Sequence, residues 1–206
     1  LAEVAHIDVV PHTLMRMADN TLCYLTRRID RTLTGEKIAM EDMCQLTERQ
    51  TEHKYNSSYE RIGKAILKYS SLPKMDVINF FELVLFSWLT GNNDMHLKNF
   101  SLYETANKIR LAPAYDLLNA VIINPKDDEE LALTLNGRKK KLQREDFIKS
   151  AATLGIEAVI VERLIKKYIK LLPKFEAVIQ NSFLSAELKE MYAELLGERF
   201  GRLFSL

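Results

Sequence analysis

The sequence predicts an α+β fold, mainly α, in which a short β-rich segment at residues 1–35 leads into a large helical lobe at residues 36–206. Three observations carry that expectation. Apolar residues between Val77 and Leu89 fall on nearly every side of a helical wheel, as they do in a helix at the centre of a helical lobe. Four other stretches keep a period of about 3.6 residues. The β-prone runs are short and cluster near the start of the chain and after the central helix.

Taken in order, Ile7 to Pro11 and Leu22 to Thr26 read as short β runs, separated by the polar Ala18-Asp19-Asn20. Helical periodicity is expected from Glu41 onward. Ser57-Ser58-Tyr59-Glu60 has the pattern of a capping box, followed by Tyr59, Ile62, Ile66 and Tyr69 on one face. Pro73 opens the central helix, which is expected to reach Thr90. Phe100–Tyr103 and Ile109–Leu111 flank a polar turn and read as a hairpin, and Leu131–Leu135 as a further short strand. Phe147 to Ala152, Val161 to Leu172 and Leu188 to Leu195 mark three amphipathic helices, the last with Ser185 as its N-cap.

Composition narrows the function classes. With 206 residues, 47% hydrophobic and 28% charged, the chain has enough apolar material for a substantial core and is not of disordered composition. Its 29 basic and 28 acidic side chains leave a net charge of +1, so the chain as a whole carries no bias toward nucleic acid or anionic membrane. Cys23 and Cys44 make no disulfide framework, which points to a reducing, cytoplasmic setting. The longest apolar stretch is broken by Asn79 and Glu82 and falls short of the ~20 residues a membrane span needs. The first residue is Leu1, and no signal-peptide pattern follows it; a trimmed or partial polypeptide is expected.

The chemistry concentrates in Gly91-Asn92-Asn93-Asp94-Met95-His96-Leu97-Lys98-Asn99-Phe100. Asp94 and Asn99 are separated as the Asp and Asn of a protein-kinase catalytic loop are. There the Asp accepts the proton of a substrate hydroxyl while the Asn turns an amide oxygen to Mg²⁺. A second carboxylate must close the metal site, and Asp116 arrives just past the hairpin. Mg²⁺ prefers such hard oxygen donors, with phosphate and water completing its shell. Lys98, between base and metal ligand, is placed to neutralise charge on the γ-phosphate. Taken alone, an Asp-x₄-Asn pair is more often a turn former than a catalytic pair.

The segment GNNDMHLKNFS, followed by Leu111-Ala-Pro-Ala-Tyr-Asp-Leu117, resembles the catalytic loop and metal-binding segment of HipA-type serine/threonine kinases, the toxin kinases of bacterial toxin–antitoxin modules. Ile7 to Pro11 and Tyr24-Leu-Thr-Arg-Arg-Ile-Asp-Arg31, similar to the family's LVERFDR hinge strand, agree in order, as do Glu41-Asp-Met-Cys-Gln45 with Lys54-Tyr55. The resemblance runs from about residue 5 to about residue 175. It implies a protein-kinase-like C-terminal helical lobe with a β remnant of the N-lobe, using ATP and Mg²⁺. It also implies Asp94 as general base, and Asn99 and Asp116 as metal ligands. His96, Leu97, Lys98 and Tyr115 would surround the nucleotide; Arg27, Arg28 and Ile29 would form the hinge against adenine, with Gln45 close by. By the same resemblance, the substrate is a protein hydroxyl on a translation component, the partner is a cognate antitoxin, and DNA is met only through that antitoxin. Arg27 and Ile29 depart from the family's Glu and aromatic residue, so adenine contact there would rest on backbone groups.

Other features have plainer readings. No two glycines are closer than Gly197 and Gly201, so a G-x-G phosphate loop is missing, as is a strand Lys. Phosphoryl transfer depends on positioning, so this polypeptide alone is expected to be feeble or inactive, which a low-micromolar Mg–ATP affinity would contradict. Asp94, His96 and Asp116 form a weak alternative as zinc ligands. Cys23 and Cys44 read as small hydrophobes. The run Arg138 to Lys141, after the turn signal Asn136-Gly137, reads as a solvated tip, and Lys166, Lys167, Lys170 and Lys174 as a wet helix face. Two other function classes stay open: a non-catalytic interaction or DNA-bound repression module, and a small-molecule phosphotransferase.

Overall fold

The computed structural model describes residues 1–204. Strands β1 (His12–Arg16) and β2 (Leu22–Thr26) form an antiparallel hairpin with Leu14 opposite Tyr24. Its turn is closed by the Met17 N–H on the Thr21 carbonyl (2.8 Å), with Asn20 in the left-handed region. A second, three-stranded antiparallel sheet has the order β3 (Met40–Asp42), β4 (Ser101–Thr105), β5 (Lys108–Leu111). The helices are α1 (Met43–Leu46), α2 (Tyr59–Tyr69), α3 (Pro73–Leu89), α4 (Arg144–Thr153), α5 (Ala158–Gln180) and α6 (Ala186–Phe204). Among the described residues no helix is long and apolar enough to cross a membrane.

Helix α3 is buried on nearly all sides, as its sequence requires, and Trp88, Phe80 and Phe81 sit in the core. Phe80 meets Phe100 edge-on at 5.1 Å and Tyr59 meets Phe100 at 6.1 Å, so α2, α3 and the segment entering β4 share one aromatic cluster. Each such ring contributes about 1.5–3 kcal/mol by leaving water. Ser58 caps α2 by accepting the Arg61 N–H at 3.2 Å, and Ser185 accepts the Leu188 N–H at 3.3 Å near the start of α6.

Two buried acids fasten the outer elements to α3. Asp76, in its first turn, accepts from the Arg110 guanidinium at 2.9 and 3.1 Å, the Leu111 N–H at 2.9 Å and the Ser70 hydroxyl at 2.5 Å. This docks the β4–β5 hairpin. At the other end Glu130 accepts from the Trp88 indole N–H (3.0 Å), the Leu142 N–H (3.1 Å) and Arg202 (2.8 Å), while Arg199 and Arg202 lie over the Trp88 ring. Burial pulls the Arg199 guanidinium down to about 10, against the charge of Glu130.

Several expectations are corrected. Ile7 to Pro11 is not a strand: Val9 makes a single parallel bridge to Ala114, and β1 begins only at His12. Residues 40–42 pair with β4 before a one-turn helix, so helix does not take over at Glu41. Leu131 to Leu135 is buried but forms no strand, because its polar backbone is satisfied elsewhere. Thr134 exchanges bonds with Tyr59 and Ser57 at the entry to α2, and Leu135 with Arg138 across the Asn136-Gly137 turn. Helix α5 continues through Pro173 to Gln180, since Leu171, Phe175 and Ile179 keep its buried face going; that burial offsets the ~3 kcal/mol cost of an internal proline. The basic run is a solvated tip as expected, exposed at Arg138, Lys140 and Lys141. Lys139 and Lys140 pair with Glu129 and Asp128 at 3.0 and 2.5 Å. Lys167 likewise pairs with Glu82, at 2.6 Å.

Candidate active site

The loop after α3 starts at a position only glycine fits. Gly91 has φ +75°, and a Cβ there would lie 2.4 Å from Leu195 Cδ2 and 2.6 Å from Asn119 Oδ1. Asn92 then turns inward and works in two directions. Its Oδ1 accepts the Asp94 N–H (3.3 Å) and its Nδ2 donates to the Asp116 carbonyl (3.3 Å), joining the two acids that the sequence placed in one site. Asn93 donates to the Glu129 carbonyl at 2.9 Å, anchoring the loop to the acidic segment.

Asn99 ends a 3₁₀ turn at Leu97–Asn99 and donates from Nδ2 to the Asp94 carbonyl at 3.0 Å. That bond fixes the amide, so Oδ1 is the atom left to face a ligand. Asp94, half-buried, accepts on Oδ1 from the Tyr55 hydroxyl at 2.7 Å. Burial first, then that bond to Asp94, pushes the phenol up to about 12. The Tyr55 ring meets His96 edge-on at 5.0 Å; His96 is buried, and burial and then Lys54 lower its pKa, favouring the neutral ring. Asp116 is exposed and takes a left-handed conformation, φ +58°, which Asp tolerates better than most residues. Just before it, Ala114 exchanges backbone bonds with Asp8 and Val10. The Tyr115 hydroxyl donates to the Lys98 carbonyl at 2.9 Å and contacts Ser101 Oγ at 2.6 Å, and burial raises its pKa to about 12.

A cavity of about 370 Å³ opens beside this framework. Arg27, Arg28, Ile29, Gln45, Lys98 and Tyr115, all singled out in the sequence, line it together with Met40, Asp42 and Ser101. Asp116 lies on an adjoining cavity of about 200 Å³ that shares Tyr115 and Val10 with the first. Asp94, His96 and Asn99 are walls of neither.

Two expected contacts are altered. The Leu97 side chain is fully buried in the core, so it cannot surround a nucleotide; its N–H is also taken, by the Lys54 carbonyl at 3.2 Å. The Lys98 ammonium is matched by Asp42 at 2.6 Å, which raises its pKa and turns its charge toward the end of β3. Asp42 also caps α1 in a box with Gln45. Arg28 is turned to Asp30, as is Arg31, at 2.6 Å each; the Arg28 bond is the main reason the Asp30 carboxyl falls to about 2. Among the described residues no three His, Cys, Asp or Glu side chains converge as metal ligands, so Asp94, His96 and Asp116 do not build a zinc site. Sequence reasoning missed Tyr55, Asn92 and Asp42 as site residues. Asn92 sat in the polar loop, and Asp42 and Tyr55 in the segments Glu41–Gln45 and Lys54-Tyr55 that carry the family resemblance, but only the fold shows that they touch Lys98 and Asp94.

The chain is similar to known proteins in sequence and in fold. The family model of the HipA-like C-terminal domain matches residues 1–175. A protein of Sinorhizobium fredii named "Putative kinase Y4dM" is 34% identical over 142 residues, covering 68% of this chain and 33% of its own length. A Haemophilus influenzae protein also named "Putative kinase" is 27% identical over 144 residues, covering 62% of this chain and 42% of itself. The chain thus spans less than half the length of these relatives. Among solved structures, HipA from Shewanella oneidensis, in complex with HipB and its operator DNA, superposes with a TM-score of 0.80 at 19% identity, covering 98% of this chain and 53% of its own. The Helicobacter pylori proinflammatory kinase CtkA superposes with a TM-score of 0.61 at 16% identity, covering 98% and 76%.

Proposed function

Because this chain belongs to the HipA-like C-terminal domain family, we propose that it supplies the general base and the metal-binding side of a serine/threonine protein kinase, a toxin held by a cognate antitoxin. One observation carries this reading. Asn92 bonds to the backbone of both Asp94 and Asp116, and the Asn99 amide donates to the Asp94 carbonyl, so the three side chains belong to one framework.

The donor set fits Mg²⁺, which needs only one or two protein carboxylates and takes its other oxygens from phosphate and water. Asn99 Oδ1 and the exposed Asp116 carboxylate would hold it, and when bound it would offset charge on the transferring phosphoryl group. Asp94 accepts the proton of the attacking protein hydroxyl on the carboxylate oxygen not taken by Tyr55. The cavity between β2 and Gln45 receives the adenine of ATP, with Arg27 to Ile29 as its hinge edge. Lys98 and Asp42 close its floor as a neutral pair rather than as a free cation.

Within a toxin–antitoxin module the substrate would be a translation component in the cytoplasm. DNA would be reached through the antitoxin, in keeping with a basic run in which Lys139 and Lys140 are paired with Glu129 and Asp128. The test is γ-phosphate transfer from Mg–ATP to proteins of a host lysate by the full-length protein that contains this chain. Asp94→Asn, Asn99→Ala and Asp116→Ala are each expected to cost ~10²–10⁴-fold in rate; labelling undiminished in Asp94→Asn would refute the assignment.

A further inference from the structure

We infer that Tyr55 is a positioning residue, holding the Asp94 carboxylate by one oxygen so that the other faces the acceptor hydroxyl. The inference rests on the reading of Asp94 as base and adds a residue to it. Tyr55 stands in the connection before α2, far from Asp94 in sequence, yet its hydroxyl donates to Asp94 Oδ1 at 2.7 Å.

The phenol is partly exposed but held from two directions. Its ring packs against the buried His96 imidazole at 5.0 Å, the rings nearly perpendicular, and the Lys54 ammonium lies 5.0 Å from its centroid; in the backbone the Lys54 carbonyl accepts the Leu97 N–H at 3.2 Å. The segment carrying Tyr55 is therefore bonded to the loop carrying Asp94 through backbone as well as side chain. A carboxylate rotates about two single bonds, and the Asp94 backbone bonds to Asn92 and Asn99 do nothing to stop that rotation. The Tyr55 hydroxyl does. Burial, the bond to Asp94 and the charges of Asp94, Asp116 and Asp127 raise the phenol's pKa, so it keeps its proton through the neutral range and remains a donor.

The alternative for the same contact is occlusion, in which Tyr55 occupies the acceptor's place and must be displaced. The two differ in sign. Tyr55→Phe keeps the ring on His96 and removes only the hydroxyl. In the full-length protein, with Mg–ATP and a mixed serine/threonine peptide library, the variant is expected to lose about ten-fold in kcat, the span of one hydrogen bond to a charged group, with KM for Mg–ATP held within two-fold. The double variant Tyr55→Phe/Asp94→Asn should be no slower than Asp94→Asn, because Tyr55 acts through Asp94. Turnover in Tyr55→Phe at or above wild type, or a loss that adds to that of Asp94→Asn, overturns the inference.

A readout free of turnover separates this inference from the kinase reading. Tyr55, labelled at ¹³Cζ and assigned with Tyr55→Phe, should titrate near 12 in the parent and measurably lower in Asp94→Ala, where burial still holds it above the ordinary phenol value. A titration unmoved in Asp94→Ala overturns the contact whatever the enzyme does. Full turnover in Asp94→Asn alongside a moved Tyr55 titration would sink the base assignment and leave the contact in place.

Discussion

Replacing Asp76 by Ala should loosen the part of the fold that carries the chain from Asn99 to Asp116. Asp76 is 1% exposed and accepts from Arg110, Leu111 and Ser70, so its loss strands several donors at the junction of α3 and β5. Breaking a buried pair by removing one partner costs ~3–5 kcal/mol. The Arg110 side chain is 28% exposed and can recover some hydration, which argues for the lower end, about 3 kcal/mol. For a chain of this length each kcal/mol is worth about 2–4 °C in Tm, so thermal unfolding followed by circular dichroism should fall by about 6–12 °C. Amide exchange should accelerate at Ser101–Leu111 more than within α5. Asp76→Leu paired with Arg110→Met, which removes both charges, should recover a large share of the loss. A Tm within 2 °C of the parent in Asp76→Ala, or loss spread evenly over the helices, would refute the claim that this pair docks the hairpin.

Gly91→Ala should lower Tm by several degrees and impair phosphoryl transfer, since a Cβ at φ +75° meets both Leu195 and Asn119; a variant indistinguishable from the parent in a thermal scan would contradict that reading. The folded-state pKa of Glu130 is lowered, its bonds to Trp88 and Arg202 and the charge of Arg199 outweighing burial. Its contribution is thus full above the ordinary Glu value of ~4.3 and disappears as pH falls through its lower folded value. Denaturant titrations in the parent and in Glu130→Gln should therefore differ most above pH 5 and converge toward pH 3. Lys98→Met leaves Asp42 unpaired at the edge of the nucleotide cavity, so equilibrium dialysis should show weaker Mg–ATP retention; retention equal to the parent would remove Lys98 and Asp42 from the site.

What the sequence disclosed followed from how local each determinant was. Helix α3 was legible because it is apolar all round, and the starts of α2 and α6 because Ser58 and Ser185 cap within three residues of themselves. Asp94 and Asn99 were legible because one short loop holds both. Leu131–Leu135 misled because a buried apolar run has no intrinsic period, and its backbone partners at Ser57 and Tyr59 lie far away in the chain. Helix α5 outran its expected end because packing of Phe175 and Ile179 outweighed Pro173. Lys98 was legible as a charge near the site but not in its orientation, since Asp42 reaches it from another strand.

That division also explains how the site keeps its shape. Its loop plants Met95, Leu97 and Phe100 in the core, and polar bonds from two bodies then orient the acids between them. On one side, Asp94 is held by Tyr55 and Asn99, whose segments bond to each other through Lys54 and Leu97. On the other, Asp116 follows a backbone pairing of Ala114 with Asp8 and Val10, and a hairpin fastened by Asp76. Asn92 bonds to both, and it projects from the turn that Gly91 makes possible at the end of α3. The spacing of the two acids is therefore set less by the Asp-x₄-Asn interval than by one amide at the end of a buried helix. A change at Asn92 should alter the alignment of Asp94 with Asp116 while leaving each acid in its own local bonds.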